Sequence, residues 1–154
     1  MANTIALGSK APPFTLRSQA GAEVSLADFL GKKRVVLFFY PKDDTPGCTA
    51  EACTFRDEYD AFAEAGAEVL GVSADSTESH ARFARNHRLP MTLLSDPGGA
   101  VAAAYGVARG PLGLLPGRVT FVIDRDGVVR HVFESRLRAT AHVREALSAL
   151  VALA

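Results

Sequence analysis

The sequence has no excess of charge of either sign and no long apolar run. Its 17 basic residues balance its 17 acidic ones, and no dense basic stretch is present, so we expect no nucleic acid and no anionic membrane surface among its partners. No apolar segment reaches the ~18 residues of a membrane span, and Met1 to Lys10 lacks the charged and apolar regions of a signal peptide. We therefore predict no membrane association and a location in the reducing cytoplasm.

Motifs that bind cofactors are also missing. There is no glycine-rich phosphate loop, no dinucleotide fingerprint and no Gly-x-Ser-x-Gly elbow, so neither nucleotide-dependent nor serine-hydrolase chemistry is indicated. The histidines, which are His80, His87, His131 and His142, do not lie at zinc-like spacing from the two cysteines. We expect no cofactor and no metal. With 48% hydrophobic residues, the chain can bury a full core, and we predict a single domain over residues 1–154.

The only cysteines, Cys48 and Cys53, follow an apolar run. Val35 to Tyr40 is typical of a buried strand, and Thr45 and Pro46 suit the N-cap and the first position of a helix. Unpaired amides and the helix dipole in the first turn favour an anion at Cys48, and the thiolate is the nucleophilic form of cysteine. One helix end supplies only part of the stabilisation that a thiolate needs, so we expect an arginine from elsewhere in the fold nearby.

A helix predicted from Cys48 to Ala65 separates the two cysteines. At about 100° per residue, Cys48 lies near the middle of an apolar face, and Cys53 lies about 140° around, on the face that we expect to meet water. Five residues of intact helix also hold their Cα atoms about 8 to 9 Å apart, beyond the ~7 Å that a disulfide spans. A disulfide between them would require the first turns to unwind, which suits a reversible switch better than a structural crosslink.

Apolar periodicity and turn residues predict alternating strands and helices. The strands are predicted at 14–16, 23–24, 35–40, 68–72, 92–94, 118–123 and 128–133, and the helices at 26–30, 48–65, 76–87, 99–105 and 140–150. This order, which ends in a hairpin, predicts an α/β protein whose mixed sheet is covered by helices on both faces.

At this point the chain resembles a known family. Pro41, Thr45 and Cys48 match the Pro-x-x-x-Thr-x-x-Cys signature of the peroxiredoxins, and Thr49-x-Glu51-x-Cys53 is similar to the PrxQ branch, also called bacterioferritin comigratory protein. Further similarity lies at 11–16, 94–96 and 117–124, so the resemblance covers most of the chain. It implies a thioredoxin-like fold, with a central mixed β-sheet flanked by helices and an N-terminal β-hairpin.

The resemblance also implies an activity, that of an atypical two-cysteine thiol peroxidase acting on hydrogen peroxide and organic hydroperoxides. Cys48 would be oxidised to sulfenic acid, Cys53 would resolve it as an intramolecular disulfide after local unwinding, and thioredoxin or a similar dithiol would reduce that disulfide. Thr45 would orient the peroxide, Arg118 would stabilise negative charge, and Pro41 would shield the site. The resemblance implies a monomer.

Other interpretations stay open. The same disulfide could switch a redox-sensing or partner-binding domain, which would not need Arg118 at the sulfur of Cys48. A disulfide reductase is disfavoured because it uses Cys-x-x-Cys. Glu51 suits the positive end of the helix, although it could also hold an active-site network. The apolar loop Pro111 to Pro116 is either packed against the domain or exposed as a rim or dimer contact that favours bulkier hydroperoxides.

Overall fold

The computed structural model describes residues 5–107 and 117–153, and they form a seven-stranded mixed sheet. Its strands are β1 (Thr15–Ser18), β2 (Glu23–Ser25), β3 (Arg34–Phe39), β4 (Ala67–Ser73), β5 (Thr92–Ser95), β6 (Val119–Ile123) and β7 (Val129–Glu134). They lie in the order β2-β1-β5-β4-β3-β6-β7. Strands β3, β4 and β5 are parallel to one another, and the others pair antiparallel. The mixed sheet and the N-terminal hairpin of β1 and β2 confirm the predicted fold.

Helices cover both faces of this sheet. They are α1 (Pro46–Asp57), α2 (Tyr59–Glu64), α3 (Thr77–His87), α4 (Ala100–Ala104) and α5 (Ala141–Leu153), with 3₁₀ turns at Leu26–Asp28 and Pro97–Gly99. Alternate residues of β3 serve two cores: Val36 and Phe38 pack with α1, α2, α3 and α5, whereas Leu37 and Phe39 pack with α4 and the N-terminal segment. The two cores follow from the two-residue repeat of a strand that is buried on both sides. No helix among the described residues is both long and apolar enough to cross a membrane.

Helix α1, which carries both cysteines, is held on the centre of the sheet by aromatic packing. The ring of Phe38 stacks on that of Phe55 with centroids 4.4 Å apart. The edge of the Phe38 ring also lies over β4 at Gly71. A Cβ atom on Gly71 would lie only 2.7 Å from the Phe38 ring and 2.9 Å from the side chain of Leu93. A side chain at this position would displace the ring, so Gly71 helps to set the height of α1 above the sheet.

The main difference from the predicted elements is the helix after β3. We predicted one helix from Cys48 to Ala65, but the chain leaves the helical conformation at Glu58 (φ −102°, ψ 10°), and α1 and α2 are separate helices. Because of this break, the rotation of 100° per residue cannot be continued from α1 into α2. Ala63 would lie on the same face as Cys48 in a continuous helix, but it is exposed. The loop Pro111 to Pro116 lies outside the described residues.

Candidate active site

Cys48 lies in the first turn of α1, two residues after Pro46, and is 1% exposed. Thr45 occupies the N-cap position with extended backbone, and its carbonyl accepts the first helical hydrogen bond from the amide of Thr49 at 2.8 Å. Its hydroxyl does not cap the helix but donates to the carbonyl of Lys42 at 2.8 Å. Thr45 therefore starts the helix through its backbone, and its hydroxyl does not compete for the amides of the turn that holds Cys48.

Arg118 reaches this turn from the residue before β6. Its side chain is buried, with Nη1 donating to Oε1 of Glu51 at 2.6 Å and Nε donating to the carbonyl of Arg136 at 3.2 Å. A Cβ atom on Gly47 would lie 3.1 Å from Nη2 of Arg118, so the missing side chain of Gly47 makes room for the guanidinium. These contacts hold Arg118 in one orientation against the start of α1.

The guanidinium of Arg118 also interacts with Cys48. Burial lowers the pKa of Arg118, but the charges of Glu51 and Cys48, and a side-chain hydrogen bond with each, outweigh burial and raise the pKa. An arginine remains protonated in proteins, and a neighbouring cation favours the thiolate form of a cysteine. The fold thus places a buried cation next to Cys48.

Glu51 has a larger part in this site than its sequence position indicated. It lies on the buried face of α1 and is 0% exposed, and its Oε1 accepts from Arg118. Its Oε2 has no hydrogen-bond partner within residues 5–107 and 117–153, and the nearest ring nitrogen, Nδ1 of His142, is 3.7 Å away. Burial raises the pKa of Glu51 to about 8, although the charge and hydrogen bond of Arg118 act to lower it.

His142, on α5, is the site residue that the sequence analysis missed. Its ring is 0% exposed, with Nε2 2.8 Å from the carbonyl of Ser135 and Nδ1 2.8 Å from the hydroxyl of Thr120. Burial and the charge of Arg118 lower the pKa of His142 to about 4, against the opposing effects of the Ser135 carbonyl and Glu145. The sequence carried only an indirect signal. Strand periodicity places Thr120 on the same face of the sheet as Arg118, and Thr120 is the residue that contacts His142.

Pro41 and Thr45 lie at the ends of the loop that joins β3 to α1, and both are half-buried. Asp43 anchors this loop. Its carboxylate accepts hydrogen bonds from the hydroxyl of Tyr40 at 2.6 Å, from the hydroxyl of Ser79 at 2.8 Å and from Nδ1 of His80 at 2.7 Å. The loop is therefore tied to α3 independently of Arg118.

Asp43, Asp75 and His80 also place one potential metal-ligand atom each within 4.8 Å of one another. Hydrogen bonds already occupy this cluster: the amide of Asp43 and the hydroxyl of Ser73 both donate to Oδ2 of Asp75, at 2.8 and 2.6 Å. Nε2 of His80 donates to the carbonyl of Leu94 at 2.9 Å. The protein satisfies these groups by itself, and we assign no metal to them.

Cys53 lies on the same helix as Cys48, and both are free thiols. Its side chain is half-buried and packs against the core that contains Cys48, instead of facing water as predicted. Arg56 is close by: its hydrogen bond with Asp57 raises the pKa of Arg56, burial opposes this, and the charge of Cys53 raises it further. To reach Cys48, the sulfur of Cys53 has to leave its packed position.

Comparisons with known proteins agree with the resemblance in the sequence. The profile of the AhpC/TSA family matches residues 7–132. A chloroplastic peroxiredoxin Q of Sedum lineare is 51% identical over 146 residues, which cover 95% of this chain and 78% of that protein. Another, from Oryza sativa subsp. japonica, is 48% identical over 97% of this chain and 68% of its own length.

These relatives correct one prediction. They are named as chloroplastic proteins, which points to the chloroplast rather than the cytoplasm, so the predicted cytoplasmic location is wrong. The prediction failed because it rested on the lack of a secretory signal and of a membrane span, and neither observation distinguishes the cytoplasm from another compartment.

Solved structures give the same family. Peroxidoxin BcpB from Mycobacterium tuberculosis matches with a TM-score of 0.90 and 45% identity, over 96% of this chain and 97% of that one. The bacterioferritin comigratory protein of Xanthomonas campestris matches with a TM-score of 0.84 and 32% identity, over 91% of each chain. With a buried cysteine beside an arginine at the start of α1, the chain belongs to the AhpC/TSA family and is a peroxiredoxin of the PrxQ or bacterioferritin comigratory protein type, a thiol peroxidase.

Proposed function

We propose that this peroxiredoxin reduces hydrogen peroxide and organic hydroperoxides through Cys48, that Cys53 resolves the oxidised cysteine, and that a thioredoxin-type dithiol recycles the enzyme. The observation that carries the proposal is the buried guanidinium of Arg118 against the first turn of α1, where its Nη2 lies 3.1 Å from the Cβ position of Gly47 and where it interacts with the neighbouring Cys48. A redox sensor needs two thiols, but it does not need a fixed cation at one of them. The Arg118 contact therefore favours the peroxidase over the sensor.

In the first step the thiolate of Cys48 attacks one peroxide oxygen. A sulfur–oxygen bond forms as the O–O bond breaks, Cys48 becomes a sulfenic acid, and the leaving hydroxide or alkoxide takes a proton to give water or an alcohol. Arg118 stabilises the negative charge that builds on the departing oxygen. The hydroxyl of Thr45 donates a hydrogen bond to the carbonyl of Lys42. Its lone pairs can therefore accept a hydrogen bond from the O–H of the peroxide and orient the substrate. Pro41 shields this side of the site.

In the second step the thiol of Cys53 condenses with the sulfenic acid, a disulfide forms, and water leaves. Both cysteines lie in the 12-residue helix α1, where an intact helix keeps them too far apart for a disulfide. The break at Glu58 separates α1 from α2, so α1 can unwind without melting the helix that follows. Thioredoxin then reduces the disulfide by thiol–disulfide exchange.

The substrate range and the oligomeric state complete the proposal. The structure of the Xanthomonas campestris relative was described for its alkyl peroxide reduction activity, and this supports organic hydroperoxides as substrates beside hydrogen peroxide. The resemblance to the PrxQ branch supports an active monomer.

A stopped-flow peroxide titration with thioredoxin recycling tests the proposal on the wild type, Cys48→Ser and Cys53→Ser. We expect Cys48→Ser to be inactive. We expect Cys53→Ser to complete one oxidation per chain at nearly the wild-type rate and then to stop. Peroxide turnover by Cys48→Ser would refute the proposal, and a wild type that is oxidised once but never turns over with thioredoxin would favour the sensor.

A further inference from the structure

The strongest unexplained feature of the molecule is the contact between Glu51 and His142 behind Arg118. Both side chains are 0% exposed. Oε1 of Glu51 accepts from Arg118 at 2.6 Å, but Oε2 has no hydrogen-bond partner in the described part of the chain. Oε2 faces Nδ1 of His142 across 3.7 Å. A buried carboxylate oxygen without a donor is costly, so this pair needs an explanation.

The hydrogen-bond partners of His142 determine which of its ring nitrogens carries a hydrogen. Nε2 of His142 lies 2.8 Å from the carbonyl of Ser135, and since a carbonyl can only accept, Nε2 must carry the hydrogen. In the neutral ring, Nδ1 is then an acceptor. The hydroxyl of Thr120, 2.8 Å from Nδ1, supplies one hydrogen to this region. Two acceptors, Nδ1 and Oε2 of Glu51, thus face each other with no hydrogen between them.

A proton on Oε2 resolves this conflict. It converts Oε2 from an unpaired acceptor into a donor aimed at Nδ1 of His142, and it leaves Oε1 to accept from Arg118. Closing the 3.7 Å gap to an ordinary hydrogen bond needs a movement of less than about 1 Å. Nδ1 has a single lone pair, so the hydroxyl of Thr120 then turns its hydrogen away from Nδ1, as a rotatable hydroxyl can.

We propose that His142 is a positioning residue that keeps Glu51 as a neutral carboxylic acid, with its proton on Oε2 facing Nδ1, so that the positive charge of Arg118 is left for Cys48. This inference rests on the proposed function, because it assigns a purpose to the charge of Arg118. An ionised Glu51 neutralises the cation that the Cys48 thiolate needs, whereas a neutral Glu51 still orients the guanidinium through Oε1.

The surrounding charges agree with this arrangement. Arg118 contacts Glu51 from the residue before β6, and His142 faces it from α5. Glu145, also on α5, acts on His142, and Cys48 lies one turn before Glu51 on α1. Burial acts on both partners in the required direction, raising the pKa of Glu51 to about 8 and lowering that of His142 to about 4. Both groups are then uncharged around pH 7.

The test is an NMR titration of the reduced protein without peroxide. Glutamate labelled with ¹³C at the side-chain carboxyl reports the protonation of Glu51, whose signal is assigned by its absence in Glu51→Gln, and ¹⁵N shifts report which nitrogen of His142 carries hydrogen. We expect the Glu51 carboxyl to titrate near pH 8 and His142 to keep a single hydrogen, on Nε2, from pH 6 to 9. A Glu51 carboxyl that is ionised at pH 6, or a His142 ring with hydrogen on both nitrogens at pH 7, overturns the proposal.

Variants test the part played by His142. His142→Asn keeps an acceptor near the position of Nδ1, and we expect the Glu51 midpoint to stay unchanged; His142→Leu removes the acceptor, and we expect the midpoint to fall by at least about half a pH unit. The control is His131→Leu, because His131 contacts Glu145 on the same helix at 3.0 Å and lies outside the site. An unchanged midpoint in His142→Leu overturns the proposal. These readings need no peroxidase turnover, so they are independent of the stopped-flow test of the proposed function.

Discussion

Two buried histidines lie beside carboxyl groups in this protein, and the two carboxyl groups behave in opposite ways. His80 on α3 contacts Asp43, and His142 on α5 contacts Glu51; both rings are 0% exposed. Asp43 accepts from Tyr40, Ser79 and His80, whereas among residues 5–107 and 117–153 the side chain of Glu51 accepts a hydrogen bond only from Arg118. Burial raises the pKa of Asp43, but the hydrogen bonds and the charge of His80 outweigh it and lower the pKa; for Glu51 burial prevails and the pKa rises to about 8.

Hydrogen-bond donors can therefore outweigh burial, as at Asp43, whereas at the more deeply buried Glu51, with fewer donors, burial decides the direction of the pKa shift. The two networks also have different roles. The Asp43 network is fully hydrogen-bonded and anchors the loop that carries Pro41 and Thr45. The Glu51 network has an unpaired oxygen and touches the arginine beside Cys48, so it can change its proton content near neutral pH.

The largest expected effect is on stability, from Asp43→Asn. Removing the charge leaves the donors of Tyr40, Ser79 and His80 without a full set of acceptors, and we expect a loss of about 3 kcal/mol at pH 7, measured by chemical denaturation. The matched control is Asp44→Asn, next in the chain, whose contact with His87 is partly exposed and contributes under about 1 kcal/mol. Equal losses in the two variants would contradict the structural role of the Asp43 network.

The second effect is on activity and concerns the other network. Arg118→Lys keeps a cation but cannot contact Glu51, Cys48 and the carbonyl of Arg136 together, because it lacks the planar fork. We expect Cys48 oxidation to slow about 100-fold in stopped-flow measurements, with a change in stability of under about 1.5 kcal/mol. Arg130→Lys, in an exposed pair with Asp124, is the control and should oxidise at the wild-type rate. A large stability loss with little change in rate would reverse the roles assigned to the two networks.

The third effect is a pH dependence of stability, which Glu51→Gln should remove. In the unfolded chain the pKa is 4.5 for Glu51 and 6.5 for His142, and in the folded protein the pKa is about 8 for Glu51 and about 4 for His142. Between pH 4.5 and 6.5 the two groups together hold equal numbers of protons in both states, so their effects cancel. From pH 6.5 to 8 only folded Glu51 keeps its proton, and stability falls with rising pH by about 1.4 kcal/mol per unit, about 2 kcal/mol in total.

Denaturation of the reduced protein at a series of pH values measures this fall. In Glu51→Gln we expect no fall between pH 6.5 and 8. We also expect stability to rise with pH between about 4 and 6.5, because the buried neutral His142 then acts alone: its folded pKa is depressed, and the unfolded chain binds the extra proton. A wild type as stable at pH 8 as at pH 6.5 would be incompatible with a neutral Glu51.

The smallest expected effect is on the rate of disulfide formation and concerns Arg56, a charged residue outside both networks. Arg56 lies one turn after Cys53 and its positive charge interacts with Cys53, the residue whose sulfur attacks the sulfenic acid in the proposed second step. We expect Arg56→Gln to slow disulfide formation about two- to threefold at low salt, with no effect on the first oxidation, as measured by stopped flow. Arg17→Gln, on β1, is the control. A slower first oxidation in Arg56→Gln would place Arg56 with the Cys48 site instead.

Much of the fold could be predicted because each strand is short, apolar and bounded by turn residues. The strand over 35–40 and the helix that begins at Pro46 agree with the structure within a residue or two. The break at Glu58 could not be predicted, since no proline or glycine interrupts that segment; beyond it, Phe62 of α2 packs in the same core as Phe55 of α1.

The candidate site was predicted as far as its residues lie close in sequence. Thr45, Cys48 and Cys53 share one loop and helix, and the spacing alone relates them. Arg118 was inferred from the resemblance, because nothing near it in the sequence indicates a contact with Cys48. His142 was missed, since a histidine on an amphipathic helix is usually a surface or packing residue.

By itself the sequence determined most of the secondary structure, the thiol at a helix start and the family, because these depend on local periodicity, capping residues and a short motif. Only the tertiary structure decided which charges meet. The pKa of Glu51 depends on its burial between α1, β6 and α5, and that of Asp43 on donors from α3 and from Tyr40, the residue after β3. Electrostatic energies in an interior depend on distances between residues far apart in the chain, and folding alone sets those distances.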